Sequence, residues 1–547
     1  MSKFAGNTSV QLHRPQRSEF DMSHTKPLTT RAGRLTPCFI SECIPSDTFY
    51  GSTEMLVRLA PLVAPIYGEF KVYVHFFFVP LRLLWADSEE FFTGGRLGAS
   101  VDPDNAPIPP YEDIGAALGY SPSPFTVSSL ADYLGVPIFE DLPGYTNPAS
   151  YDGKRINVLP FLAYQKVWLD YYRDRNYVED DVLGFEFPRP SGRIALVSIF
   201  QLHNRGWEAD YFTTALPFTQ RGDEVLMPLA GTGSVNYLAQ SRFEWSAQPG
   251  TAPSAGPASF NGGGSFNMVD DEDHALRVEN IDSVDIDASS VSINDFRTAY
   301  ALQVWLERNA VGGSRYVDST QAHFGVRPQD SRLQRAEYLG GGVVPVKISE
   351  IVSTAYSQNQ DDNTVPLANL AGHGVSYGNT NSFKYFVPEH GFVMGIMSIM
   401  SPGSYHQGLP RMFTRWSFLD YPWPTFAKLG EQQVDRYELF ASPANVTQNA
   451  DGVYPLFGYQ SRYSDWKQIR NSVHGDFHDT LKFWTLVREF SSSPTLGDTF
   501  VTYDPSVQDR IFAVNGSGDN FWCYVNNRVS VRRALPYFGA PNNLGFQ

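Results

Sequence analysis

Hydrophobic and polar positions alternate with a period of two through much of this chain, which is the pattern of half-buried strands. Phe70 to Leu81 (FKVYVHFFFVPL) sets Phe70, Val72, Val74, Phe76 and Phe78 against Lys71, Tyr73 and His75. Its second half is almost continuously apolar, so both faces of that part are predicted to be covered. Similar runs predict strands at Ile194 to Phe200, Phe383 to Val387, His390 to Ser398, Asp479 to Val487, Arg510 to Val514 and Asn520 to Val531. Long connections marked by Pro and Gly separate them, as in a sandwich whose loops have grown.

Two stretches follow helical spacing instead. Leu162 to Arg173 places Leu162, Val167, Leu169 and Tyr172 among polar residues, and Asn294 or Asp295 can cap a helix running through Asn309. Gly312-Gly313 is placed to end that second helix. Between Pro228 and Ser292 the pattern fades into TAPSAGPASFNGGGS and the acidic VDDEDHALRVENIDSVDID. A stretch this long without a core of its own is expected to be an exposed functional loop or disordered. No internal repeat or heptad appears, so solenoids and fibres have no support.

Composition agrees with strands. Aromatic residues make up 14% of the 547, and 45 Gly and 38 Pro punctuate them, which favours an all-β chain with long packed loops. A chain of this length can bury a large core without disulfides or metals. Cys38, Cys43 and Cys523 cannot form an even disulfide framework and lack the partners of a zinc site, so reduced thiols are expected. The N-terminus has no apolar run suited to a secretory signal, and no stretch is long and apolar enough for a membrane span. The net charge of −16 excludes a surface that binds nucleic acid everywhere and confines any such contact to patches. Lys3, Arg14, Arg17, Lys26, Arg31 and Arg34 face only Glu19 and Asp21 in the first 35 residues, and Arg528, Arg532 and Arg533 form a second cluster.

Three blocks add more than composition: Leu159 to Asn176 (LPFLAYQKVWLDYYRDRN), His203 to Leu226 (HNRGWEADYFTTALPFTQRGDEVL) and Phe296 to Gly342, which contains ERNAVGGSRY, HFGV and EYLGGG. In that order they resemble the major capsid protein of gokushovirus-type microviruses (Microviridae), and His13 to Pro37 is similar to the family's N-terminal arm. Met22 departs from the basic residue expected there, and Pro27-Leu28 lengthens the arm. The resemblance implies a single eight-stranded antiparallel jelly roll with long loops, a few helices and a large insertion, all within one domain spanning residues 1–547. It implies a T=1 icosahedral shell around a circular single-stranded DNA genome, assembled in the host bacterial cytoplasm and resident in the virion of this bacteriophage. Within that domain residues 1–36 are the basic arm and 229–292 the exposed threefold protrusion, with Gly231, Phe260, Gly263, Asp271 and Asp287 as its markers. Arg14, Arg17, Arg31, Arg34, Arg528, Arg532 and Arg533 are the DNA-facing candidates. A small basic DNA-binding protein, a DNA pilot protein and a host cell-surface receptor are the implied partners besides further copies of the chain. No catalytic residue, cofactor or metal is expected, and no membrane insertion.

Several motifs have plainer readings. Arg221-Gly222-Asp223 is a three-residue match better explained as a tight turn closing YFTTALPFTQ, where the capsid family also carries a basic residue followed by Gly. His474, Asp476 and His478 can ligate a metal from one side of an extended segment, yet no third anchor is specified, so a polar loop before a strand LKFWTLV is favoured. Asp270 to Asp273 lacks the ligand ladder of an EF-hand, and the Gly-rich stretches lack the helix and Lys of a P-loop. Neither a nucleophile elbow nor an HExxH is present. Trp168, Tyr171 and Tyr172, or Trp416, Tyr421 and Trp423, can stack on sugars or bases, but core or subunit contacts are the better expectation. The alternative from another class is a jelly-roll carbohydrate-binding protein or glycoside hydrolase, argued from aromatics and carboxylates on a β-rich chain.

Overall fold

The computed structural model describes residues 17–93, 106–223, 225, 233–237, 243–246, 275–278, 281–286, 293–313, 315–352, 370–450, 452–513 and 518–537. The chain divides into two compact units, one of Met1–Thr219 with Ala310–Gln547 and the other of Gln220–Asn309.

The first unit is built on one antiparallel sheet. Its described strands are β1 (Ser18–Asp21), β2 (His24–Thr30), β3 (Thr36–Cys43), β4 (Thr48–Leu59), β5 (Phe70–Pro80), β6 (Glu337–Val352), β7 (Leu370–Asn379), β8 (Phe383–Phe386), β9 (Gly391–Met400) and β10 (Phe521–Arg533). They pair in the order β1-β10-β4-β7-β6-β5-β9-β3, with β2 also on β10 and β8 also on β4. This is the expected all-β, jelly-roll-like architecture. Ten described strands are joined in the sheet, two of them drawn from the segment expected to be an arm.

Inward side chains from opposite ends of that order meet in one core, so the sheet curls over itself. Phe49, Met55, Val57 and Leu59 of β4 share it with Phe70, Val72, Val74 and Phe76 of β5 and with Val525, Val529 and Val531 of β10. β9 (GFVMGIMSIM) is buried at every position because its other face is covered too. There Phe392, Met394 and Ile396 join Phe77 and Val79 of β5 under the short helices Ile114–Leu118, Leu130–Leu134 and Leu159–Val167. The continuous apolar runs of β5 and β9 follow from this double coverage.

The sequence blocks turn out to be packing partners. Leu159–Val167 continues as a π-helical turn, Trp168–Tyr172, three residues earlier in its start than the spacing predicts. The Tyr164 hydroxyl donates to the Leu35 carbonyl at 2.9 Å and accepts from the His203 amide at 3.1 Å. His203 is buried with its ring stacked on Trp168 at 3.7 Å and its Nε2 2.7 Å from Gln165 Oε1. Tyr211, Phe212 and Ala215, from YFTTALPF, anchor a third core with Tyr405, Val434, Phe457 and Phe500. In EYLGGG the backbone of β6 carries a bulge between Tyr338 and Gly340, and a Cβ on Gly341 would lie 2.3 Å from the Val74 carbonyl. Only glycine admits that approach of β6 to β5.

Three predicted strands are not strands. Val197–Phe200 and Lys482–Trp484 are 3₁₀ turns inside the segments expected at Ile194 to Phe200 and Asp479 to Val487, and the 3₁₀ turn Pro505–Ile511 runs into the start of the segment expected at Arg510 to Val514. Their apolar residues plug cores from loops: Phe200 enters the second, while Leu486, Ile511 and Phe512 enter the first. Their backbones bond to other loops, as in Val63 N–H to the Ile511 carbonyl at 2.9 Å and Tyr67 N–H to the Trp484 carbonyl at 2.8 Å. The helix after residue 292 runs over Ile293–Gly312, a turn longer than expected, and Gly313 at φ +108° follows it.

The second unit pairs Gly233–Tyr237 with Ile281–Ile286, and Phe243–Ser246 with Ala275–Val278. These ladders lie within the stretch where the hydrophobic pattern fades. A register shift between Ile281 and Ser283 breaks the alternation that would have announced one of them.

Candidate assembly and nucleic-acid surfaces

The arginines chosen from sequence divide into two groups. Arg31 meets Asp509 at 2.5 Å, and Arg34 meets the largely buried Asp519 at 2.9 Å. Arg533 Nε donates at 2.9 Å to Asp47, whose carboxylate is wholly buried, and its Nη2 donates to the Glu42 carbonyl at 2.7 Å. These three tie the first strands and the last strand to the loops around them. Buried or half-buried pairs of this kind cost dearly when one partner is removed, so their first role is structural. Arg17 and Arg532 are exposed, and Arg528 stays 62% exposed while reaching Glu54 at 2.9 Å. Arg14 lies outside the described residues, as do Gly231, Phe260, Gly263, Asp271 and Asp287.

The other sequence motifs resolve locally. Gly222 has φ +102°, and the Gln220 side-chain amide donates to the Asp223 carbonyl at 2.7 Å, which makes Arg221-Gly222-Asp223 a closed turn. His474 precedes and His478 ends the 3₁₀ turn Gly475–His478 rather than lying on an extended segment, their ring centroids are 6.1 Å apart, and the strand expected after them is absent. Among the described residues no three His, Cys, Asp or Glu side chains converge as a metal-binding set. The three cysteines are free and buried, and desolvation pushes the Cys38 thiol up to about 12. Among the described residues no helix is long and apolar enough to cross a membrane.

The aromatic expectation splits as well. Trp168 and Tyr172 serve the interior, whereas Trp416, Tyr421 and Trp423 do not. Arg411 to Gly430 is a loop of short 3₁₀ turns that presents Trp416 at 84% exposure beside exposed Met412, Phe413 and Phe418, and Ile469 nearby is 99% exposed. The loop is held from within. The Asp420 carboxylate accepts from the Trp416 and Ser417 amides at 2.8 and 2.7 Å, and Trp423 Nε1 donates to the Phe418 carbonyl at 2.9 Å. Arg415 lies 4.2 Å from the Trp466 ring centroid and ion-pairs with Asp465. Large apolar groups rigidly held in solvent mark an interaction surface.

Below this loop a cavity of about 640 Å³ reaches Glu438. Glu438 accepts from the Tyr211 hydroxyl at 3.1 Å and from the Asp435 amide at 3.1 Å, with Arg411 at 3.5 Å. Burial drives its carboxyl up to about 7 against the pull of Arg411. On the lining of the same cavity the exposed Ser472 Oγ lies 2.9 Å from His474 Nε2.

A family model described as capsid protein (F protein) matches residues 8–542. The chain belongs to that family of phage capsid proteins. It is 33% identical to capsid protein VP1 of Chlamydia phage 1, over 96% of this chain and 95% of that protein. Capsid protein VP1 of Bdellovibrio phage phiMH2K is 30% identical over 95% of each chain, and that of Spiroplasma virus 4 is 27% identical over 94% and 92%. Both Chlamydia phage 1 and phiMH2K are gokushoviruses of the Microviridae, so the resemblance in the three sequence blocks holds across the chain. This is a structural capsid protein of a bacteriophage virion and not an enzyme. Of the readings the sequence offered for Trp416, Tyr421 and Trp423, their exposure here removes the core and leaves contact with a partner.

Proposed function

We infer that this capsid protein self-assembles into a T=1 icosahedral shell around a circular single-stranded DNA genome, with residues 229–292 as a surface protrusion at the threefold axes that engages a host receptor. The family match over residues 8–542 carries this reading. The exposed rings of the Arg411–Gly430 loop support it, since a subunit that meets several neighbours needs apolar anchors outside its own core. The separate compactness of Gln220–Asn309 supports the protrusion. A chain of net charge −16 is poorly suited to neutralise a genome alone, which supports a small basic DNA-binding protein and a DNA pilot protein as partners during assembly in the host cytoplasm.

Electron microscopy of the chain expressed with and without its neighbouring genes tests the shell: small uniform icosahedral particles are expected, and monodisperse monomers under both conditions would refute it. Replacing residues 229–292 by a short Gly-Ser linker is expected to leave particles intact and abolish adsorption to host cells. Loss of particles would instead make the insertion a brace of the shell.

A further inference from the structure

We propose that the solvent face of β10, β4, β7 and β8 binds single-stranded nucleic acid, with bases stacked on Trp522, Tyr524 and Tyr377 and phosphates held by Arg58, Arg528 and Arg532. The proposal rests on the reading that the shell encloses single-stranded DNA, and it assigns a place on the fold for that contact.

Alternation in β10 turns Trp522, Tyr524, Arg528 and Arg532 to solvent while Cys523, Val525, Val529 and Val531 enter the core. Cross-strand register then sets these residues in rows. Trp522 lies opposite Arg58, which lies opposite Val375; Tyr524 lies opposite Leu56, which lies opposite Tyr377. Further along, Ser530 lies opposite Tyr50 and Tyr50 opposite Lys384, whose Nζ sits 5.0 Å from the Tyr50 ring centroid. Tyr377 is 71% exposed, and Trp522 and Tyr524 are each about half exposed. Successive outward residues of a strand are roughly 6.8 Å apart, a spacing an extended polynucleotide can follow with one nucleotide per row.

Charge selects the partner. Among the described residues these four strands turn four cations outward, Arg58, Lys384, Arg528 and Arg532, against one carboxylate, Glu54, which already meets Arg528. On a chain of net charge −16 this local reversal fits phosphate. The strip ends at the edge strand β1, where Glu19 lies opposite Arg532 and Asp21 opposite Ser530. At its other end a groove of about 660 Å³ opens beside Trp522, Tyr524 and Arg58, walled by Thr29, Asp132 and Tyr133. That space accommodates a base lying against the indole. Along β10 the outward residues run Trp522, Tyr524, Asn526, Arg528, Ser530 and Arg532, with Glu54 opposite Asn526, so rings and cations form adjoining patches; four cations against that one carboxylate favour nucleic acid over sugar.

Fluorescence anisotropy of a labelled oligo-dT on the full-length chain, across a salt series, tests this. Trp522→Ala with Tyr524→Ala, and separately Tyr377→Ala, are each expected to weaken binding about tenfold or more with the salt slope unchanged. Trp522→Phe, which keeps a stacking ring, is expected to restore most of the affinity, a rescue that a folding defect would not give. Arg58→Ala with Arg532→Ala is expected to reduce the magnitude of the log–log salt slope by about 1.4, two phosphates' worth on a single strand. Wild-type affinity in the ring variants would overturn the proposal. So would loss of particles in those variants, which would make this face a contact between copies, or displacement of the oligonucleotide by oligosaccharides. Nuclease-protected single-stranded DNA in wild-type particles is scored alongside: its presence with unaffected ring variants refutes only this face, and its absence refutes the packaging reading beneath it.

Discussion

At the scale of residues, burial converts two ionisable groups into opposed pH sensors. His203, stacked on Trp168 and walled from water, has its imidazole driven down to about 3 by desolvation. Between pH 6.5 and 3 the unfolded chain therefore binds a proton that the folded chain refuses. The stabilisation is complete above 6.5 and is lost as pH falls, at about 1.4 kcal/mol per unit from this group. Glu438 runs the other way: raised to about 7, it favours folding below its ordinary value of 4.5 and loses that contribution as pH rises through 7. Thermal unfolding followed from pH 4 to 8 should show His203→Gln flattening the acid limb and Glu438→Gln flattening the neutral one. Parallel curves for wild type and both variants would refute the assignment. Gly341 makes a sharper steric demand, because its missing Cβ leaves room for the Val74 carbonyl. Gly341→Ala is expected to cost about 1–3 kcal/mol in denaturant unfolding by forcing β6 off β5; an unchanged midpoint would mean that the bulge absorbs the methyl.

At the scale of elements, what was legible in sequence depended on what covers each face. β5, β9 and β10 announced themselves because a sheet with one or two covered faces writes its burial directly into alternation or a continuous apolar run. The buried helix Leu159–Val167 was legible for the same reason in a different period, whereas Ile293–Gly312, whose Phe296, Tyr300 and Trp305 are exposed, was legible from its capping residues and closing glycines. The segments around Ile199, Leu486 and Ile511 misled because an apolar loop that plugs a core has the same local composition as a short buried strand. Periodicity records which side chains are buried and not which backbone pairs with which. β6 was hidden by its glycines, which pack closely yet carry no hydrophobic signal. Among the site residues, arginine clustering in sequence overstated availability: Arg31, Arg34 and Arg533 are engaged by Asp509, Asp519 and Asp47, carboxylates distant in sequence. The cations best placed for a ligand, Arg58 and Lys384, stand alone in the sequence and gain meaning only through cross-strand register.

At the scale of the molecule, a shell subunit must fold completely and still keep apolar surface in reserve for its neighbours. This chain does so by placing its largest exposed rings on a loop braced by its own hydrogen bonds, outside the cores, so that removing them should not disturb the fold. Trp416 and Ile469, at 84% and 99% exposure, have almost no native contacts of their own to lose. Changing both to Ala should therefore leave the unfolding midpoint of the isolated chain within about 0.5 kcal/mol of wild type. A truncated hot spot in a packed contact costs about 2 kcal/mol or more, and closed symmetry repeats that cost at every equivalent position of the shell. The double variant should consequently need at least about tenfold more protein before light scattering reports particles. Normal particle yield at the wild-type threshold would place this loop away from the contacts, while a shifted unfolding midpoint would mean that it belongs to the core after all. Because folding and assembly are read in separate measurements on one variant, the two roles cannot be mistaken for each other.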